Sequence, residues 1–380
     1  MINNVVNNSK RRGPYEIALA GDLVLDAPDP DHWLSGIAGA LQSVDLAIGH
    51  VEVPHTTRGA ELTGDVPAPG AAPEAIAALR RNGFSAVTLA GNHIADQGAA
   101  GIEDTLSALA DAGLAACGAG PDLEYARSPA YLPLDGCTVA ILSYNCVGPE
   151  ASWASDDRAG CAFLRIETED GSPVAPLAPL QRVGADARRV LGTDVRKARA
   201  RADIVIVALH KGIVHTPVTL AAYERPLAHL AVDCGADIVA SHHAHIVKGI
   251  EVYRGKPIFH GLGNACVVTR ALAPDQAHPE RAAWARRRRE LFGFEPDPAY
   301  ELAPFHPEAT NAMLGRVSWT PGERLQFGIV PVHVEAPGRP VLASGARARE
   351  VVAYVERITQ AAGLPELHFE PAGDAWMYCQ

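Results

Sequence analysis

Paired cysteines, long apolar runs, aromatic residues and an excess of positive charge are all scarce in this chain of 380 residues. The seven cysteines, Cys117, Cys137, Cys146, Cys161, Cys234, Cys266 and Cys379, are odd in number, dispersed and never spaced as CxxC. That pattern argues against a disulfide framework and against a zinc ribbon. No window approaches the roughly 18 apolar residues that a spanning helix needs. The opening MINNVVNNSKRRG carries basic residues with no apolar segment behind them, so no export signal is expected there. The expected location is the cytoplasm, with no membrane partner. A formal net charge of −11 leaves no broad basic surface, which argues against a general nucleic-acid or anionic-membrane binder. What the chain does have is apolar substance: 48% of its residues are hydrophobic, enough to bury a large core in one α/β domain or two smaller ones.

Periodicity alternates between strand and helix. YEIALAGD, VDLAIGHVEVP, SAVTLAGNH, CTVAILSYN, ADIVIVALH and ADIVASHHAH read as buried strands. Between them APEAIAALRRNGF, GIEDTLSALADAG and LAAYERPLAHLAVDCG read as helices stopped by Gly83, Gly113 and Gly235. Two hairpins follow, one turning at Arg254-Gly255 and one at Pro321-Gly322. Strands separated by helices first and hairpins last imply an α/β core with a mixed sheet.

The polar residues concentrate at one place in this pattern. Asp22, Glu52, Asn92 with His93, His210, and His242 with His243 and His245 all fall just beyond the C-terminal ends of expected strands. Parallel strands bring such ends to one cleft, where ligands bind in open α/β sheets. Taken singly each residue has an ordinary alternative. Asp22 could cap a helix, Asn92 could be a turn residue, and His210 a satisfied core histidine. The pair His243 and His245 carries more, because alternate residues of an extended segment point the same way and can offer two imidazoles to one ion. On that reading His242 points away and serves structure.

GD at 21, HVEVP at 50, LAGNHIADQGAAGIEDTLSALADAGLAACGAG at 89, ALHKG at 208 and GADIVASHHAHIVKGIEVYRGKPIFHGLGN at 235 resemble the CapA family, the poly-γ-glutamate capsule branch of the calcineurin-like metallophosphoesterases. The resemblance spans about residues 15 to 335. It implies an α/β fold, a sandwich of two mixed sheets flanked by helices, as a single domain over 1–380. It also implies Asp22, Glu52, Asn92, His210, His243 and His245 as metal-site residues, with His93 as an acid/base histidine beside them. Two departures stand out. Glu52 occupies the position where the wider phosphoesterases place a bridging aspartate, and HKGIVH puts Lys211 and Val214 where CapA proteins have a Trp and a Glu. A block at about 267–311 interrupts the pattern, and a helical extension is expected over about 340–380.

The oxygen donors Asp22, Glu52 and Asn92 favour calcium, manganese or magnesium, whereas direct histidine coordination favours zinc or iron. His93 precedes Asp96 by three residues, and Asp26 follows Asp22 by four, so aspartate-oriented histidines are expected beside the ion. The residues assigned to proton transfer are His93, His210, Asp26 and Asp96. Two bases facing a bound carboxylate suit proton removal and return at a Cα. The chain also resembles a CapA-like branch of ribosomal lasso-peptide biosynthesis whose activity is epimerisation of a C-terminal tryptophan. That resemblance implies a peptide partner with a free C-terminal carboxylate. Metal-dependent hydrolysis of an amide or phosphoester, and metal-stabilised peptide binding without chemistry, are the alternatives; oligomeric state stays open. Within the interrupting block, RAAWARRRRELF interleaves Trp284 and Phe292 with arginines. It reads either as a solvated surface helix or as a lid bringing an arginine and aromatic rings to the strand ends.

Overall fold

The computed structural model describes residues 13–62, 69–273, 275 and 277–379. The reading of the N-terminal basic segment therefore lies, but for Gly13, outside the described residues, and so do Pro274 and Gln276 of the interrupting block.

Two mixed sheets face one another. The first runs, in order, through His368–Ala372, Ala375–Cys379, Gln326–Glu335, Asn311–Trp319, Tyr15–Leu25, Leu46–Val51, Ala86–Thr88 and Ala115–Cys117. Asn264–Val268 also adds to Tyr15–Leu25, parallel to its last four residues. The second runs through Ile250–Tyr253, Lys256–Phe259, Ile238–His242, Ile204–His210, Cys137–Asn145 and Ala130–Leu134. Alternation along the strands explains the sandwich. Ile17, Leu19, Leu46 and Ile48 of the first sheet meet Ile141, Ile204, Ile206 and Phe259 of the second in one buried cluster. The intervening Ala18, Ala20 and Ala47 face outward beneath the helices Pro30–Gln42 and Ile76–Arg81. On the far side, Val205, Val207 and Leu209 lie under Ala185–Arg199 and Glu224–Asp233. A strand buried on both faces has no polar face to show, which is why these segments read as continuous apolar runs.

Four expectations need correction. The helices Pro30–Gln42 and Ala185–Arg199 were not among the expected elements. The strand expected to run through His245 stops at His242. Residues 264–268, placed partly in the interrupting block, are a strand of the main sheet, so the block starts after Val268. Helix covers only Gly345–Ala361 of the C-terminal extension; Gly373, at φ 70°, then turns a hairpin whose second strand pairs Trp376 with Ile329. That segment, HFEPAGDAWMYC, carries aromatic residues about a Gly-Asp turn and favours strand over helix. No helix among the described residues is long and apolar enough to cross a membrane.

Candidate metal centre and the pocket above it

Strand register assembles the site. In the first sheet Asp22 lies beside His50, and His50 beside Thr88, across three parallel strands. In the second, Asn145, His210 and His242 are neighbours across three parallel strands. The two rows meet ring to ring, the His50 imidazole lying 4.6 Å from that of His242 and 4.8 Å from that of His210. A register irregularity on either side of Asp22 turns this residue out of the ordinary pleat, the usual use of a bulge at a site.

Asp22 sits where it does because two backbones nearly touch. Its N–H donates to Gly263 O at 2.9 Å, and a Cβ on Gly21 would come within 1.9 Å of that same oxygen. Only glycine permits that approach. Gly21→Ala is therefore expected to push the strand end away and lower metal affinity together with thermal stability. A metal titration and a melting curve check it, and an alanine variant equal to the parent in both would refute the argument.

His243 and His245 converge by a route other than strand alternation. Both have left-handed backbones, φ 86° and 52°, an arrangement that bulky side chains adopt at a cost and that clusters at functional sites. His245 Nδ1 is 2.9 Å from Asn264 Oδ1, and its Nε2 is 3.3 Å from Glu52 Oε1. His210 Nε2 lies 2.7 Å from Asn92 Oδ1. The expectation that His242 points away is wrong: its Nδ1 is 3.4 Å from Asp22 Oδ1 and its ring stacks on His50. His50 was passed over, although HVEVP begins with it. The signal that could have found it is its place one strand over from Asp22.

The donors fit a divalent cation. Asp22, His50 and His210 offer ligand atoms within 4.8 Å of one another, and so do Asp22, Glu52 and His245. Glu52 Oε2, His50 Nε2, His210 Nδ1 and both His243 nitrogens are buried without a hydrogen-bond partner, and Asp22 Oδ1 and Glu52 Oε1 have only the long ion-pair contacts to His242 and His245. Buried polar atoms are ordinarily paired, so this many orphans around one point mark a ligand. The electrostatics favour the metal-binding form at some of these groups and oppose it at others. Burial, then the neighbouring Glu52 charge, pushes the Asp22 carboxyl up. Burial opposes the Glu52 charge too, but His245 outweighs it and holds that carboxyl below its ordinary value. Burial, with the neighbouring rings, keeps His50, His210 and His243 neutral at physiological pH. Neutral imidazoles and ionised carboxylates are the forms that bind metal, so those three rings are ready as they stand. Asp22 and His245 must each give up a proton more readily than they do here: burial disfavours the charge on His245, but Glu52 outweighs it and raises that ring to about 9.

Above the donors lies an open cavity of about 130 Å³. Glu52, Asn92, His93, His243 and His245 form its base, and its walls include Val24, Val53, Val214, Leu272, Trp284, Arg288, Phe292 and Phe305. His93 Nδ1 is 2.7 Å from Asp96 Oδ2, the expected dyad. Asp96 is 2% exposed, so its carboxylate has few competing solvent partners and orients the ring. Asp26 also lines the cavity, but among the described residues no histidine is its partner. It accepts from Thr269 Oγ1 at 2.7 Å and lies near Arg281, while burial pushes its carboxyl up. Of the two departures in HKGIVH, Val214 makes the cavity wall apolar, and Lys211 turns into the core to pair with Glu224 at 2.8 Å. His215 was missed altogether. It has a left-handed backbone at φ 58°, lines the cavity and meets Phe292 edge-on at 4.8 Å.

The fold and site define an α/β sandwich with a buried cluster of metal donors at the strand ends of both sheets. The family profile described as bacterial capsule synthesis protein PGA_cap matches residues 12–267, more than half of the chain, and the protein belongs to that family. A probable polyglutamine synthesis accessory protein of Mycobacterium tuberculosis is 36% identical over 180 residues, 46% of this chain and 43% of that protein. The capsule biosynthesis protein CapA of Bacillus anthracis is 29% identical over 195 residues, 50% of this chain and 42% of its own. The matched segments thus cover less than half the length of these relatives. Among solved structures, a hypothetical protein from Thermus thermophilus aligns over 83% of this chain and 99% of its own, with 17% identity and a TM-score of 0.45. A putative 5'-nucleotidase from Staphylococcus aureus, in complex with alpha-ketoglutarate, aligns over 91% of this chain and 58% of its own, with 12% identity and a TM-score of 0.43.

Proposed function

We propose that this protein is a metal-dependent peptide epimerase that removes and returns a proton at the Cα of a C-terminal residue, tryptophan on the resemblance to lasso-peptide enzymes. The observation that carries the reading is the company His93 keeps. An aspartate-oriented histidine opens into the same cavity as the metal donors, and that cavity is walled by apolar and aromatic side chains. Asp22, Glu52, Asn92, His210, His243 and His245 would hold the ion, with His50 and His242 close enough to join them. A divalent ion there would supply positive charge against the negative charge that develops as the Cα proton leaves. His93 exchanges a proton on one side of the carbon, and Asp96 stabilises the charge its ring acquires. His215 is the candidate for the opposite side: it lines the cavity, and its Nδ1 is buried without a partner. A cytoplasmic setting belongs to the same reading.

In deuterated water the product is expected to be a mixture of two stereoisomers, reached from either one, with deuterium at a single Cα. Apart from that label its mass equals that of the substrate. Hydrolysis of an amide or phosphoester is the second reading, favoured by the cluster of metal donors, because a metal-bound water needs no second base. It would show as a cleaved product containing solvent oxygen. Peptide binding with neither exchange nor cleavage would leave a scaffold.

A further inference from the structure

We propose that Arg288 is the receptor for a carboxylate that the substrate carries next to an aromatic side chain, an assignment that deepens the peptide reading above and rests on it. Arg288 belongs to the short helix Arg288–Phe292 of the block inserted after Val268 and is 2% exposed. Its Nε and both terminal nitrogens are buried with no hydrogen-bond partner among the described residues. Neighbouring arginines are treated differently. Arg287 pairs with Glu290 at 3.1 Å, Arg289 with Glu295 at 2.9 Å, and Arg281 with Glu61.

What surrounds the Arg288 guanidinium is aromatic: its carbon lies 5.3 Å from the ring centre of Trp284 and 5.7 Å from those of Phe294 and Phe305. Ring faces attract a cation, yet they offer no acceptor to the five N–H groups of the fork. A buried cation with its donors unmet is costly, and the cost is offset when a ligand supplies the acceptors. Planar, bidentate donation is the geometry that recognises a carboxylate.

The wall specifies the rest of the ligand. Trp284, Phe292 and Phe305 line the cavity with Arg288, and Trp284 meets Phe292 edge-on at 6.0 Å. These rings suit a flat apolar group beside the anion. Arg288 is the sole arginine or lysine among the lining residues, which also include the acids Asp26 and Glu52. A single guanidinium carries one positive charge, which one carboxylate neutralises and a phosphate dianion exceeds.

The test is calorimetric binding of N-acetyl-tryptophan, its amide and phenyl phosphate to the metal-loaded full chain, to Arg288→Met and to Arg288→Lys. The acid is expected to bind about 10-fold or more tightly than the amide, the ratio to fall close to one in Arg288→Met, and Arg288→Lys to lie between. The Tm of Arg288→Met should equal or exceed that of the parent, because an unpaired buried charge gives way to an apolar chain of similar length. Equal affinity for acid and amide in the parent, a preference unchanged in Arg288→Met, or a preference for phenyl phosphate would each overturn the assignment. So would a preference that vanishes on chelation and survives in Arg288→Met, since the metal would then be the receptor. If Arg288→Met does not fold, an acid-to-amide ratio in Arg288→Lys equal to the parent's has the same force. Failure of the epimerase reading is separable: Cα exchange would be absent while the acid-to-amide preference remained.

Discussion

Replacing His93 by alanine is expected to lower turnover by about 100-fold or more, the scale of positioned acid–base assistance, while bound metal stays at the parent level. His93 is held by Asp96 at 2.7 Å and lies at the base of the cavity. Among the described residues, neither group of metal donors with mutual distances under 4.8 Å includes it. Glutamine at 93 should fail to restore the rate, since its amide cannot carry the proton. Asp96→Asn should reduce the rate while leaving binding of substrate largely unchanged, because it alters the tautomer and charge of the ring without emptying the cavity. Metal analysis beside initial rates decides the matter. Loss of metal in step with rate would make His93 a ligand and remove the acid–base assignment.

Chelation is expected to abolish activity altogether and to leave the sandwich folded. The core clusters between and outside the sheets are built from apolar residues away from the strand ends, so secondary structure does not depend on the ion. Stability does. Asp22 and Glu52 are both buried, and the charge of one burdens the other. A divalent cation that binds only the folded chain adds RT ln(1 + [L]/Kd), about 2.7 kcal/mol at a hundredfold excess over Kd. Tm should therefore rise on adding metal to chelated protein, and the rise should be much smaller in Asp22→Ala. Asn92→Ala is expected to lose part of the bound metal and part of the rate together. Calcium, magnesium, manganese and zinc added separately rank the ions, a choice that turns on whether oxygen or imidazole donors prevail. Full turnover in metal-free protein, or a Tm indifferent to every ion, would remove the metal centre.

Most of the residues gathered at the site were legible in the linear chain for a definite reason. Parallel strands deliver their C-terminal ends to one edge, so Asp22, Glu52, Asn92 with His93, His210, and His242 with His243 and His245 could be grouped from hydrophobic periodicity and the residue that ends each run, and the family resemblance implied which of them hold metal. His93 with Asp96 was legible as well, because a separation of three in a tight turn keeps both side chains within reach, and the 2.7 Å contact follows. Asp26 misled because spacing alone does not say which neighbour a side chain meets. Thr269, 243 positions away, is its partner. His242 misled because the strand was taken to continue. Alternation holds only while the backbone stays extended, and the left-handed turns at His243 and His245 let both of these rings join His242 at one site.

By itself the sequence determined the apolar strands buried on both faces, the helices with glycine stops that separate them, and the strand ends where the chemistry-bearing residues lie. These are local properties, set by side-chain period and backbone freedom over a few residues at a time. Tertiary structure alone decided that His50 faces His210 from the opposite sheet, that Val214 and His215 turn toward the cavity while Lys211 turns to Glu224, and that Arg288 is buried among Trp284, Phe294 and Phe305. Each of these depends on which surfaces two distant segments bury against each other. That choice is made by the free energy of the whole packed core, which no window of sequence contains.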